Sequence, residues 1–469
     1  TSGGAVVFAG STVTIALVSL AVADIPLVTT MGLMAAIAVV VAVLAAVTLL
    51  PATLAIVGPR INSLRVRRSH TSTHPKRGLW ARWASGVASH PVVAGVAALA
   101  ILLPLAIPLL SLNLGQKDVA ALSKSTTARQ AYDLISKNFG AGVNGPLIVA
   151  VSLGSPATSS SDSRLATLQK DVSQTSGVAA VTPVQVDKAG TTAFFNAIPT
   201  KGPAETATTD LVNSLRGSVI PKAENGTNMK AYVGGTTAAY VDLAANISSK
   251  LPLQILVVIA LSFILLTLAF RTVIVPVQAA VMNVLSIAAA YGVLTAIFQF
   301  GWLHSVIGLE SSVEIVSYVP LFMFAVLFGL SMDYEVFLVS QIEEHVHAGE
   351  RNKQSVVSGL VTSGRVITAA ALIMVFVFGS FVLNGDPTVK QFGIGLAVAV
   401  ILDATIVRCL LVPALMVVMG KVNWYMPRWL DRLLPRISIE GAEFFGARDR
   451  RRPPEPDPER EPLAGAVAS

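Results

Sequence analysis

One cysteine stands in 469 residues, and it lies inside an apolar run, at Cys409. That excludes a disulfide framework and any zinc site built on cysteine spacing. Charge is scarce as well. Asp, Glu, Lys and Arg make up 13% of the chain, against roughly 25% in an ordinary soluble domain. With 53% hydrophobic residues and a mean hydropathy of +0.67, so little charge points to a polytopic membrane protein. No segment pairs a nucleophile with a base or offers a phosphate loop. Gly140, Gly142 and Gly145 match the dinucleotide-binding spacing only in part and lack its strand-to-helix context. Neither an enzyme nor a bound cofactor or metal is therefore expected. The net charge of +7 does not indicate nucleic acid, because it is unevenly placed. Arg60, Arg65, Arg67, Arg68, Lys76, Arg77 and Arg82 share one stretch without an Asp or Glu, the pattern of a cytoplasmic loop beside membrane spans.

What the chain does have is a repeat. Thr1-Ser2-Gly3 matches Thr362-Ser363-Gly364, Pro26 matches Pro387 and Gly32 matches Gly393, all at a spacing of 361. After a slip of one residue, Leu50-Pro51-Ala52 matches Val412-Pro413-Ala414. A repeat this long in an apolar chain is the signature of a transporter built from two like halves. The second copy is preceded by further membrane segments and the first by nothing, and no initiator Met is present. A longer protein is expected, with this chain as its latter part.

Eight runs meet the roughly 20-residue apolar length of a span: 5–23, 31–57, 92–110, 253–270, 273–300, 315–340, 366–383 and 392–419. The basic stretches place 58–90, Arg271 and 341–361 inside, and the short connections 24–30, 300–313 and 384–391 outside. The expected organisation starts with a hairpin at 1–59 ending the first repeat, a basic cytoplasmic loop at 60–90 and one helix at 91–111. A polar external domain at 112–250 precedes a five-helix bundle at 251–420. A cytoplasmic tail at 421–469 follows, amphipathic at first and disordered at its Pro- and Arg-rich end.

Within 112–250, apolar strand-like runs at 147–153, 178–186, 192–198 and 229–234 alternate with helical patterns at 163–175 and 204–217. Strand, helix, strand, strand, helix, strand is the ferredoxin-like order. Flanking helices at 126–139 and 236–250 tie the unit to the bilayer, the second running into the next span. The fold class expected is thus a polytopic α-helical membrane protein with an internal repeat and one external α+β ferredoxin-like domain.

The chemistry concentrates in Gly329-Leu330-Ser331-Met332-Asp333-Tyr334-Glu335. A charge at mid-membrane costs about 2.5–3.5 kcal/mol even on the lenient insertion scale, so such acids face a bundle interior or a wet cavity. A carboxylate poorly solvated there can take and lose a proton near neutral pH, as a proton-coupled pump requires. At 100° per residue, Asp333 and Glu335 point to nearly opposite faces. Gly329 lies one turn before Asp333 on the same face and lets another helix approach closely, which assigns Asp333 to a helix interface. Glu335 reaches the cytoplasmic headgroup side or pairs with a cation. Asp403 and Arg408 form a second polar position. Five residues apart, they fall about 140° apart around an α-helix, so each is expected to serve a different neighbour or, for Arg408, to snorkel. Asn283, Ser286, Ser11 and Thr12 read as helix–helix hydrogen bonds, and Glu310 and Glu314 as solvated. His304, His345 and His347 fall in loops.

Gly-Leu-Ser-Met-Asp-Tyr-Glu-Val-Phe-Leu (329–338), Leu-Asp-Ala-Thr-Ile-Val-Arg (402–408) and Trp-Tyr-Met-Pro-Arg-Trp-Leu-Asp-Arg-Leu-Leu-Pro (424–435) together carry a resemblance. The chain resembles the actinobacterial MmpL-type lipid exporters of the resistance-nodulation-division superfamily. The resemblance implies twelve spans and two external porter domains in the whole protein, of which this chain holds spans five to twelve and the second porter domain. It implies a proton relay of two Asp-Tyr pairs, with Asp333-Tyr334 as one and Tyr334 hydrogen-bonding the acid of the other half. The missing N-terminal half is then a partner, as are membrane lipids and a lipid or glycolipid cargo. Two other readings stand beside it: a drug efflux pump of the same superfamily, which the 6% aromatic content does not favour, and a lipid- or sterol-sensing membrane protein.

Overall fold

The computed structural model describes residues 2–58, 78–157, 159–303, 305–309 and 312–434. Most of the basic loop, with Arg60 to Arg77, lies outside the described residues, as do His304, Glu310 and the tail from 435 onward. Eight described helices are long and apolar enough to cross a membrane: Val6–Ala23, Pro26–Val57, Pro91–Ser111, Thr236–Phe270, Ile274–Phe298, Tyr318–His347, Asn352–Leu383 and Pro387–Trp424. In lipid, a helix satisfies its own backbone groups, which is why apolar runs of this length adopt it. We number these spans one to eight. The most apolar stretches of spans five, six and eight are 67% buried, against 6% in span two and 11% in span seven. The former three are therefore the core of the bundle, and the latter two present their side chains outward.

The two repeat copies fold alike. Span one ends in a 3₁₀ turn at Ser19–Ala23 and Asp24 takes a left-handed conformation, after which Pro26 opens span two. Span seven ends in a 3₁₀ turn at Phe381–Leu383, and Pro387 opens span eight with Asp386 capping it. Proline suits the first helical turn because its missing N–H would be unpaired there anyway. A Cβ on Gly32 would lie 2.7 Å from the Leu17 carbonyl oxygen, and one on Gly393 2.8 Å from that of Phe378. Both glycines let the two helices of a hairpin cross closely.

Several helices run further than the apolar windows suggest. Span six continues to His347 and span seven begins at Asn352, so the expected loop 341–361 shrinks to a tight turn. His345 and His347 thus lie at a helix end rather than in a loop, and His345 Nδ1 is 3.2 Å from Glu350 Oε1. Hydropathy reads only the lipid-facing stretch, and the backbone stays helical past it.

An α/β domain separates spans three and four. Its strands are β2 (Leu147–Leu153), β3 (Val178–Val181), β4 (Gln185–Val186), β5 (Thr192–Pro199) and β6 (Met229–Gly234). They form one antiparallel sheet in the order β3-β5-β2-β6, with β4 also on β5. The expected strand at 178–186 is split, because Pro183 has no N–H to give the ladder. Leu147, Val149, Val151 and Leu153 alternate inward against Phe195 and Val233. Helix Ser163–Ser173 covers them with Leu165, Leu168 and Val172, and Leu211, Val212 and Leu215 complete the core. The second covering helix runs on through a π-turn to Glu224 rather than ending near 217. Span four is a single helix that starts inside this domain, with Ala238 in the domain core and Val258 in the membrane core. A second, smaller sheet pairs β1 (Leu114–Gly115) in parallel with β7 (Ile315–Val316).

Candidate functional site: two polar clusters on opposite sides of span six

Span six turns its polar residues two ways. At 100° per residue, Ser331, Tyr334 and Glu335 share one side, and Asp333 points away from Ser331. Asp333 faces span one, where its Oδ1 lies 2.9 Å from the Thr12 hydroxyl. That hydroxyl is also 2.6 Å from the Ala9 carbonyl. Its one proton can go to either acceptor. An ionised Asp333 accepts it. A protonated Asp333 donates to Thr12 instead, and Thr12 then donates to Ala9. The pair thus accommodates both charge states without moving a helix. Gly329 makes this approach possible, since a Cβ there would lie 2.8 Å from Val13 Cα. The placement of Asp333 and Gly329 at a helix interface agrees with the spacing argument.

The expectation for Asp403 and Arg408 is overturned. Arg408 Nε donates to Asp403 Oδ2 at 2.7 Å. The cause is local: Asp403–Leu411 is a π-helical stretch within span eight. A wider turn brings residues five apart onto one side, where an α-helix separates them. Nor does Arg408 snorkel, since 2% of its surface is exposed. Its Nη2 donates to the Ser331 carbonyl and, at 2.8 Å, to Ser331 Oγ. Ser331 Oγ in turn lies 2.5 Å from Asn283 Oδ1 on span five and 3.1 Å from Asp403 Oδ1. The guanidinium sits over the Tyr334 ring, 5.2 Å from its centroid, a favourable cation–π placement. The Tyr334 hydroxyl meets Met374 Sδ at 3.4 Å. A cavity of about 20 Å³, room for one water, opens beside Asn283, Ser286, Ser331, Tyr334 and Asp403.

Glu335 does not reach the headgroup side. It is 4% exposed and accepts no hydrogen bond among the described residues. Span six runs twelve residues beyond it, roughly 18 Å, before its end at His347. Ser331 was missed by the sequence reading, although it joins three spans. The one-residue slip in the repeat was instead the signal of the Asp403–Arg408 pairing. The extra residue of the second copy falls between Gly393 and Pro413, the interval that holds the π-helical stretch. Span two, the equivalent helix without the extra residue, is regular and carries Val41 and Ala46 at the matching positions.

Glu314 lies outside the spans, at the end of the bundle that carries the α/β domain. It is half-buried rather than solvated. Loss of water pushes its carboxyl from the ordinary 4.5 up to about 7, with the Asp118 charge a lesser contributor. Glu314 and Asp118 line a cavity of about 360 Å³ whose other walls include Thr209 and Asn213 of the domain and Tyr240 and Ser248 of span four.

Comparison with known proteins fits this architecture. A family model described as "MMPL family" matches residues 1–94 and 120–455. The chain belongs to the MMPL family. The MMPL chain is 36% identical over 95% of its length to "Membrane protein YdfJ" of Bacillus subtilis. It is 34% identical over 94% of its length to "Mycolic acid-containing lipids exporter MmpL11" of Mycolicibacterium smegmatis. To "Heme uptake protein MmpL11" of Mycobacterium tuberculosis it is 33% identical, again over 94%. The MMPL chain spans 60% of the first of these and 46% of the other two, about half the length of the curated relatives it matches. The resemblance drawn from the motifs is borne out at the level of the family, whose members are transporters rather than enzymes.

Proposed function

We propose that this MMPL chain is the latter part of a proton-driven transporter that moves lipid or another amphipathic cargo across the cytoplasmic membrane. The observation that carries the reading is Asp333. It faces a neighbouring span, and its Thr12 partner can serve it in either charge state. Protonation from outside cancels its charge and turns the Thr12 proton to Ala9, so the bond that holds span six to span one passes from charge-assisted to neutral and weakens. The Asp403–Arg408–Ser331 cluster fastens the opposite side of span six to span eight, so the two sides of one helix answer different partners. A charge crossing the membrane gains about 2.3 kcal/mol per 100 mV, enough to bias a two-state element of a few kcal/mol.

The domain at 112–250 then acts as an external porter domain. Its strand order and antiparallel pairing support the ferredoxin-like reading. An N-terminal half would supply the other Asp-Tyr pair, the first porter domain and the acid that Tyr334 hydrogen-bonds in the assembled protein. Relatives named for lipid export and for haem uptake share an amphipathic cargo and differ in direction. Direction is therefore the point to measure. In vesicles holding the full-length protein, an imposed proton gradient should drive a fluorescent long-chain lipid to the side that corresponds to the cell exterior. Lipid movement indifferent to the gradient would favour the lipid-sensing alternative, and inward movement the uptake direction.

A further inference from the structure

Residues 113–117 form a short strap between the end of span three and the α/β domain, and it is tied to three other spans at once. Gln299, just past span five, donates from Nε2 to the Asn113 carbonyl at 2.8 Å and accepts from Asn113 N at 3.3 Å. Leu114 and Gly115 pair with Ile315 and Val316 immediately before span six, and Ser317 N donates to the Gly115 carbonyl at 2.9 Å. Gln116 Nε2 donates to Ser317 Oγ at 2.8 Å. Lys117 pairs with Asp386, which caps span eight. Gln391 on span eight completes the joint. Its Oε1 accepts from Val316 N at 3.0 Å and its Nε2 donates to the Glu314 carbonyl at 2.9 Å, with no part of the side chain exposed.

These are three of the four spans that build the intramembrane polar clusters: Asn283 on span five, Ser331 and Asp333 on span six, Asp403 and Arg408 on span eight, with Thr12 on span one. On its far side, the strap leads to Asp118, which accepts from the Tyr132 hydroxyl at 2.8 Å on helix Thr127–Phe139. A 3₁₀ turn at Ala141–Asn144 follows that helix and carries Gly142, where even a Cβ would overlap the Pro199 carbonyl at the end of β5. A continuous line of hydrogen bonds and close packing thus runs from spans five, six and eight to the central sheet. A buried amide that both donates and accepts across two backbone groups is costly to leave half-satisfied, so it holds its segments in one register.

We infer that the 113–117 strap is the joint that passes movement of spans five, six and eight to the α/β domain, with Gln391 as its positioning residue. This rests on the transport reading above. The joint stays closed and works as a rigid link. Span four, which also enters the domain, is a separate and parallel connection.

The test is a split between two fluxes in the full-length protein, reconstituted in vesicles of phosphatidylethanolamine and phosphatidylglycerol. Proton entry is followed with a trapped pH dye, and cargo movement with a fluorescent long-chain lipid. Gln391→Leu keeps the volume and removes both bonds. It should cut gradient-driven lipid movement by about tenfold or more and leave proton entry within about twofold. A disulfide between Gln116→Cys and Ser317→Cys, one position beyond the Gly115–Val316 pair, should restore lipid movement to Gln391→Leu until a reductant is added. If Gln391→Leu fails to fold, Gln116→Leu carries the same test. Unchanged lipid movement overturns the inference. So does loss of both fluxes in a folded variant, which would place Gln391 in the intramembrane step, or a reductant-relieved block when the disulfide is made in the otherwise unaltered protein. If the unaltered protein shows no gradient-driven lipid movement, the transport reading itself fails, and the joint fails with it.

Discussion

Arg408 and Asp403 pair at 2.7 Å from positions five apart in one helix, because a π-helical stretch at 403–411 closes the angle an α-helix would leave between them. The pair is buried, and Ser331 holds it to span six through both its carbonyl and its hydroxyl. A buried charge of this kind contributes little net stability as a pair, and a great deal is lost when one partner is removed.

Asp403→Leu alone should therefore cost about 3–5 kcal/mol, since it leaves the guanidinium without its carboxylate. Asp403→Leu combined with Arg408→Met should recover most of that loss. Denaturant unfolding in detergent checks both. Additive losses in the double variant would mean that the two residues act independently.

Gly329 sets how closely spans one and six approach, with Val13 Cα 2.8 Å from where a Cβ would stand. Gly329→Leu should destabilise the protein by roughly 1–3 kcal/mol through overpacking, and should separate Thr12 from Asp333. Thermal unfolding, together with the yield of a crosslink between cysteines placed on the two spans, measures both effects. Unchanged stability and crosslinking would contradict the packing account.

Glu314 predicts a pH dependence outside the bilayer. Its carboxyl is raised to about 7 in the folded protein, against an ordinary 4.5. The folded state therefore holds the proton more tightly than the unfolded chain. Its stabilising contribution is complete below about 4.5 and is lost as pH rises through about 7. Amide exchange at Ile315–Ser317, corrected for the intrinsic rate, should show more opening at about pH 8 than at about pH 5, and Glu314→Gln should flatten the difference. An unaltered slope in Glu314→Gln would assign it to another group.

The parts legible in the sequence were those written as periodicity or as position within an apolar run. The eight spans came from hydropathy, and the close approach at Gly329 and the interface position of Asp333 came from helical phase. The matching roles of Pro26 and Pro387, and of Gly32 and Gly393, were visible as a spacing of 361. What escaped depended on contacts distant in sequence or on departures from regular helix. The strap was invisible because β1 and β7 are two residues each and pair across about 200 residues of chain. Glu314 was read as solvated because a carboxylate beside an apolar run carries no mark of how deeply the neighbouring domain covers it. The Asp403–Arg408 pair escaped because the phase argument assumed an α-helix throughout. Its trace in the sequence is the one-residue slip between Gly393 and Pro413.

The measurement that bears most directly on the account is gradient-driven lipid movement by the full-length protein in vesicles, with Asp333 intact and as Asp333→Asn. The amide fills the same space and can still hydrogen-bond Thr12, but it cannot exchange a proton. The account predicts that Asp333→Asn folds, binds the lipid and loses gradient-driven movement. Movement retained at the original rate would make Asp333 a structural acid and contradict the proton-driven reading.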